Sequence, residues 1–464
     1  MVERNLAKVE VASSSLVSRS RFKKNAPGRG RFSFCGRPAG NQSSSCADAR
    51  ERMPVMSEIR HPSPTVHRFI PTSPTPHRPT IRAGEPASPI LHGDAAMPQT
   101  PSAYDHDVVI VGASFAGAAC ALAAAQYGLR VCVLERKTDP GERLHTTGIV
   151  VKEAVEQTWL GRMPEHLVQR VANVRLYAPN LRSVLLAAPG YYFLTTDTPN
   201  LMRWLASELR ANGVDLRLQQ SFTDARRCGD GWQVEGTGRC AYLVGADGAR
   251  SRVAQRTGLG QVRDNLYGVE REFAGLQVTE GDALHCFLSK RFAPGYIGWV
   301  AQNPTGLQVG LALRHDPRQA RPLDIDGFLE HVRDVVGIPP SARPSATRAG
   351  LVPCGRPDGP ITGQRVILTG DAAGIVSPLS AGGIHSSWRH GWAVGEAMAR
   401  HLRGQGPEAE RVARQVAPAF HGKRLLRWAM DHLQAEWPFN APLHTAATRR
   451  IAEQVYFHRR GLRT

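Results

Sequence analysis

The chain is 464 residues long and carries a formal charge of +18, with 42% apolar and 21% charged residues. That size can bury a large core and suggests two or three domains; the apolar and charged fractions are ordinary for a soluble globular protein, whereas the net charge is not. Eight cysteines, with no CxxC pair and no histidine at metal-ligand spacing, point to no metal site and suit a reducing compartment.

Arginine supplies most of the positive charge and is spread along the whole chain, which reads first as compositional bias. The functional alternative is a surface for anions, such as phosphorylated ligands or acidic lipid headgroups. Peripheral association with an anionic membrane therefore stays open for an otherwise cytoplasmic protein. No nucleic acid is expected, because neither zinc-finger spacing nor an aromatic-basic RNA signature is present.

Residues 1–103 hold SSS twice, the basic run RSRFKK and the proline-rich stretch HPSPTVHRFIPTSPTPHRP, without hydrophobic periodicity. They read as a disordered basic extension. From Val108 to Leu129 the chain carries no charge, a length that can cross a bilayer. However, VVIV stops at Gly112 and an alanine-rich stretch follows Gly117, so strand, turn and buried helix fit better than one apolar helix. The strand is expected at Val108–Val111, the helix at Ala118–Tyr127 and a second strand at Val131–Glu135. Cys120 and Cys132, in apolar surroundings, read as small buried hydrophobes. Another helix starts at Pro199 with Thr198 as its cap and stops at Gly213. DLRLQ, WQVEG and AYLVGADG read as short strands, and Phe273–Leu313 as an antiparallel sheet broken by glycine and proline. RVILTGDAAG repeats the strand-then-glycine pattern, a helix follows from Ile384 to Leu402, and the last sixty residues or so read as helical and basic.

The stretch DVVIVGASFAG (Asp107–Gly117) carries the clearest chemistry. A strand runs into a glycine turn that opens onto a helix, whose free N–H groups and partial positive charge suit a pyrophosphate. Gly112 permits the turn and Gly117 the close helix–strand packing, with Ala116 beside it. Ser114 stands where a middle glycine is usual and adds a hydroxyl donor. Glu135, at the end of the second strand, can accept hydrogen bonds from both ribose hydroxyls of an adenosine and would repel a 2′-phosphate. Arg136 follows it. Two later aspartates sit just after strands beside small residues: Asp247-Gly248 in LVGADG and Gly370-Asp371 in LTGDAAG. Such a carboxylate can reach the ribityl hydroxyls of a flavin, which NAD lacks, so the cofactor is expected to be FAD. The turn Ser380-Ala381-Gly382-Gly383 before Ile384 can turn backbone N–H groups toward a reduced flavin. Trp388 and Trp392 read as core, His385 and His390 as surface residues, and His145 as a lesser candidate for the flavin side.

The glycine turn, the central DG and the late GD together look like the para-hydroxybenzoate hydroxylase type of flavoprotein. The longer string GDAAGIVSPLSAGGI, with Gly391 and Glu396, resembles the geranylgeranyl reductase family. GYIGWV (Gly295–Val300), and Arg203 in LMRWLASELRANG, are similar to that family as well. The resemblance covers about residues 105 to 400. It departs at Gly374, where the hydroxylases carry histidine, and at LHTTGIV (Leu144–Val150), where the reductases often carry a cysteine-glycine loop. It implies an α/β fold with a Rossmann-like FAD-binding domain (104–160, 190–265 and 350–402), an antiparallel substrate sheet (161–189 and 266–349) and a helical end (403–464). The expected cofactor residues are Gly112, Ser114, Ala116, Gly117, Glu135, Arg136, Arg203, Asp247, Gly248, Gly370, Asp371, Gly382, Gly383 and Ile384, with no catalytic residue assigned. The implied reaction is hydride transfer from reduced flavin to an alkene of a prenyl or other apolar small molecule, with NAD(P)H open as electron donor. A flavin monooxygenase and a non-redox flavin-dependent isomerase or cyclase are the alternatives.

Overall fold

The computed structural model describes residues 104–316, 322–433, 440 and 445–457. The basic extension at 1–103 lies outside the described residues. In chain order, the first elements are β1 (His106–Val111), α1 (Phe115–Gln126), β2 (Val131–Leu134), β3 (Asn173–Tyr177), β4 (Ser183–Ala187), α2 (Thr198–Ala211), β5 (Asp215–Arg217) and β6 (Gly238–Gly245). Then come β7 (Asn265–Ala274), β8 (Ala283–Phe287), β9 (Gly298–Asn303), β10 (Gly306–Arg314), α3 (Ile325–Val336) and β11 (Ala346–Pro353). The chain continues with β12 (Val366–Leu368), α4 (Ile384–Leu402), α5 (Ala409–Val416), α6 (His421–Leu433) and α7 (Ala446–Phe457).

The uncharged run after Val108 is a strand and a separate helix, and no described helix is long and apolar enough to cross a membrane. β12, β6, β1, β2 and β5 pair in that order, all parallel. Val111 is in register with Gly245 and with Leu134, and Gly245 with Leu368. Four strands therefore end in one row, and the residues that follow them share one edge, where α/β sheets bind their ligands. Valine, isoleucine and leucine fill these strands because both faces are covered. On one face lie α1, α2 and α4 with Leu122, Leu205 and Trp388; on the other lie Phe222, Trp232 and Val253.

Glycine lets α4 lie backbone to backbone on α1. A Cβ at Gly391 would stand 2.3 Å from the Ala116 carbonyl oxygen, and one at Gly395 2.4 Å from that of Cys120. Cys120 and Cys132 are buried, and burial pushes the Cys132 thiol up to about 12.

The second sheet runs β11-β7-β10-β9-β8-β3-β4 and is antiparallel except between β8 and β3. It draws strands from 173–187 and 265–353, so the boundary placed at 350 falls inside β11. One face packs on α3 through Phe273, Val309, Leu311 and Phe328. The other carries Leu266, Tyr296, Ala312 and Cys354, against which Ala381 packs. A third sheet joins Val150–Val151, Phe193–Thr196 and Val168–Val171.

Two expectations need correction. The cap of α2 is Asp197, whose carboxylate accepts from the Asn200 N–H at 3.3 Å, and Thr198 is already helical. Its hydroxyl instead donates to the Thr147 carbonyl at 3.2 Å, tying the loop after β2 to the helix start. His390 is not a surface residue. It is 1% exposed, with Nδ1 2.9 Å from the Thr369 hydroxyl and Nε2 3.0 Å from the Ala413 carbonyl, because α5 docks over that side of α4.

Burial lowers the pKa of His390 from 6.5 to about 4. The folded protein therefore resists a proton that the unfolded chain accepts, so its stability is full above 6.5 and falls as pH drops from 6.5 toward 4. Across that window the loss is about 3 kcal/mol. Thermal denaturation at a series of pH values is expected to show a shallower acid slope in His390→Gln than in wild type; equal slopes would mean that the histidine is not buried neutral.

Candidate functional site

The row of strand ends brings most of the expected cofactor residues together. After β1, Gly112 takes φ +102°, and a Cβ there would sit 2.3 Å from the Ala246 carbonyl oxygen. Only glycine meets both demands. A Cβ at Gly117 would lie 1.9 Å from the Gly112 carbonyl oxygen, and one at Gly370, φ +60°, 2.7 Å from the Ala116 Cβ. The glycine turn, the Ala246-Asp247-Gly248 corner and the Gly370-Asp371 corner thus touch one another.

Their polar groups are largely unspent. Ser114 is the cap residue of α1, yet its exposed hydroxyl makes no capping bond. The Glu135 carboxylate accepts from the Ala113 and Lys137 N–H groups, both at 3.1 Å. A carboxylate has about four acceptor sites, so two remain. Arg136 beside it is exposed. Asp247 Oδ2 accepts from the Arg252 N–H at 2.6 Å and the Val253 N–H at 3.2 Å, while its buried Oδ1 has no partner. Burial raises its pKa despite these bonds. The Asp371 carboxylate has no hydrogen-bond partner among the described residues, and burial pushes its pKa up to about 6. Two carboxylates short of donors, beside a glycine turn with a spare hydroxyl, fit a ligand rich in hydroxyls and phosphate.

The Ser380–Gly383 turn opens α4. Gly383 caps it without a side-chain bond, Gly382 is exposed, and Ile384 is the first helical residue. Ala381 sits at φ +48°, in the left-handed region that a non-glycine residue enters at a cost of about 1–2 kcal/mol. Gly374 closes the preceding turn at φ +65°, and a Cβ there would lie 3.0 Å from the Gly355 carbonyl oxygen, so this backbone disfavours the histidine found in the hydroxylases.

Arg203, also expected at the cofactor, is held by protein groups. Its guanidinium donates from Nε and Nη2 to Asp139, at 3.0 and 2.6 Å, and from Nη1 to Asn200 at 2.6 Å, pinning the loop after Glu135 to α2. His145 contacts the second sheet, with Nδ1 2.9 Å from the Ala349 carbonyl over Gly350. Trp388 is core, stacked at 5.8 Å on Trp159. At the opposite end of β1, ligand atoms of His106, Cys132 and Asp215 lie within 4.8 Å of one another, but Arg217 already bonds Asp215 at 2.8 Å and lies 3.3 Å from His106. A cation is in place there, and the group is not a metal site.

Sequence reading missed one cluster. Glu270 on β7 is buried, and its Oε2 accepts from the Thr147 hydroxyl at 2.7 Å and from the Trp299 indole at 3.1 Å. Arg348 lies 4.0 Å from its Oε1 and is ion-paired with Glu272. The sequence offers no signal for it: VEREF holds three consecutive charges, and nothing local marks Glu270 as the buried one.

A parallel sheet whose strand ends bring together a glycine turn, Glu135 and two late aspartates, beside a second, largely antiparallel sheet, suits a FAD-dependent flavoprotein. The chain belongs to the FAD binding domain family, which matches residues 105–412. It is 29% identical over 317 residues to digeranylgeranylglycerophospholipid reductase 2 of Methanopyrus kandleri, spanning 64% of this chain and 78% of that protein. It is 24% identical over 344 residues to geranylgeranyl diphosphate reductase of Rhodobacter capsulatus, spanning 70% and 84%. In fold it is similar to a geranylgeranyl bacteriochlorophyll reductase-like protein from Thermoplasma acidophilum, with a TM-score of 0.65 and 15% identity over 76% of this chain and 96% of that one. The protein is thus a FAD-dependent oxidoreductase of α/β fold.

Purified protein is expected to carry FAD rather than FMN, because Glu135 and the glycine turn suit an adenosine half. Glu135→Ala and Asp371→Ala should each weaken FAD retention by roughly ten- to a hundredfold, since a charge-assisted hydrogen bond contributes about 1.5–3 kcal/mol. Reconstitution of apoprotein, followed by flavin fluorescence, checks this; unchanged affinity in both variants would remove the carboxylates from the site.

Proposed function

We propose that the protein saturates carbon–carbon double bonds of prenyl chains carried on a polar or lipid head. What carries the reading is the likeness to prenyl reductases over most of the FAD-binding region, together with a site edge whose polar groups are left unspent by the protein and so suit a cofactor. Bound FAD, once reduced, supplies the hydride. The chain's own residues do the rest. Gly112, Ser114 and the first turn of α1 receive the pyrophosphate, Glu135 the adenosine ribose, and Asp371 and Asp247 the ribityl hydroxyls. Arg203 acts through Asp139, fixing the loop that follows Glu135. Gly382, Gly383 and Ile384 set the amino end of α4 against the ring, where its partial positive charge favours the reduced, negatively charged form.

The substrate side is the apolar face of the second sheet around Leu266, Tyr296 and Ala312, which excludes water from a hydride transfer. A lipid-borne substrate brings the protein to a membrane surface. Leu425 and Trp428, 70% and 55% exposed on the basic helix α6, support peripheral contact there. NAD(P)H fits as the reductant, since hydroxylases of this fold type bind it without a second Rossmann domain.

Under anaerobic conditions, dithionite-reduced enzyme is expected to saturate geranylgeranyl diphosphate or digeranylgeranylglycerophospholipid. Mass spectrometry should find two hydrogens added per alkene in ordinary water and two deuteriums in heavy water. Insertion of an oxygen atom, only in air and with NAD(P)H, would assign the chain to the monooxygenases instead.

A further inference from the structure

Saturation of an alkene needs a proton as well as a hydride, and the residues of the cofactor edge are already assigned to holding the cofactor. The Glu270 cluster has the right composition. It holds two carboxyl groups, Glu270 and Glu272, and one guanidinium, Arg348, with side-chain exposures of 7%, 20% and 11%. Arg348 is committed to Glu272. With both carboxyls ionised, the buried cluster carries one surplus negative charge; one proton on Glu270 makes it neutral. Among the described residues, His145 also stands nearby, exposed and lying against Gly350. Burial outweighs Thr147, Arg348 and Trp299 and raises the carboxyl pKa of Glu270 above its ordinary 4.5.

Glu270 stands on the sheet face proposed for the substrate. Leu266, Gly268 and Glu270 alternate along β7 and share a face, the one on which Ala381 of the turn before α4 packs. Leu266 and Glu270 are about 13 Å apart along the strand. Between them the floor is Gly268, whose strand neighbours are Ala312 and Gly350, so no large side chain rises from it. Thr147 reaches Glu270 from the loop after β2, and that loop is locked by Thr198 on the Thr147 carbonyl and Arg348 on the Thr146 carbonyl. Trp299 lies flat over Gly310, where a Cβ would stand 2.2 Å from its ring, and this aims the indole N–H at Glu270.

Resting on the reductase reading, we propose that Glu270 is the proton reservoir of the saturation and that Thr147 relays its proton to the substrate. The hydride brings two electrons to one alkene carbon. The other carbon takes the Thr147 hydroxyl proton, while the Glu270 proton moves to Thr147 Oγ1. Glu270 is left ionised, held by the Trp299 N–H and the Thr147 hydroxyl, and regains a proton from solvent before the next turnover.

The test uses FAD-loaded full-length protein with geranylgeranyl diphosphate. In single-turnover oxidation of the reduced enzyme, Glu270→Gln and Thr147→Val should each slow the reaction by about 100-fold or more, with KM and FAD retention within about twofold. Thr147→Ser should restore the rate. Glu270→Asp serves if the glutamine variant fails to fold, and should shift the pH profile. Tryptophan fluorescence gives a readout independent of turnover: wild type should show a step above pH 4.5, absent from both Glu270→Gln and Trp299→Phe. No such step, or a Glu270→Gln enzyme that reacts at the wild-type rate, overturns this proposal alone. A wild-type enzyme that reduces no prenyl substrate takes the reductase reading down with it.

Discussion

The contact between Gly112 and the Ala246 carbonyl governs the cofactor edge. Two strand ends can converge so closely only because no Cβ stands between them, with 2.3 Å available where a side chain would begin. Once they converge, Asp247 must project from the neighbouring corner, and Gly370, pressed on Ala116, brings Asp371 to the same edge. The parallel register then leaves no freedom, since Val111, Gly245 and Leu368 are locked in one row. Helix α4 completes the constraint from behind. Gly391 and Gly395 let it rest on the α1 backbone, so α1 and α4 form one packed pair. A larger residue at any of these glycines would displace the geometry of the whole edge rather than one side chain.

This edge was legible in the sequence because its information is local. A strand, a glycine with positive φ and an acid just beyond a strand are all written within a few consecutive residues, and each has a turn-level cause. The helix Ile384–Leu402 was legible too, from a glycine pair followed by apolar residues at helical spacing. The α2 cap was missed by one position, since Asp197 and Thr198 are both good caps and only the loop contact of Thr198 separates them. His390 was misread for a longer-range reason. Its burial depends on α5 crossing α4, and nothing near position 390 encodes where residues 409–416 dock. The Glu270 cluster was illegible on the same ground: it draws residues 147, 270, 299 and 348 from four segments, and only sheet register unites them.

The two sheets therefore divide the work by the kind of group they offer. The parallel sheet presents backbone and short side chains at strand ends, which suits phosphate, ribose and ribityl recognition and tolerates little change. The second sheet presents side chains from strand middles, where alternation fixes the face but leaves each residue type free. Proton delivery and substrate fit can diverge there without disturbing the cofactor edge. The burial that raises Glu270 follows from this arrangement: a strand-middle carboxyl covered by an indole and a locked loop is desolvated, which disfavours its charged form. On the proposed reading, the face that would accommodate a prenyl chain also disfavours the charged form of Glu270, so substrate choice and proton storage would come from a single property of the sheet.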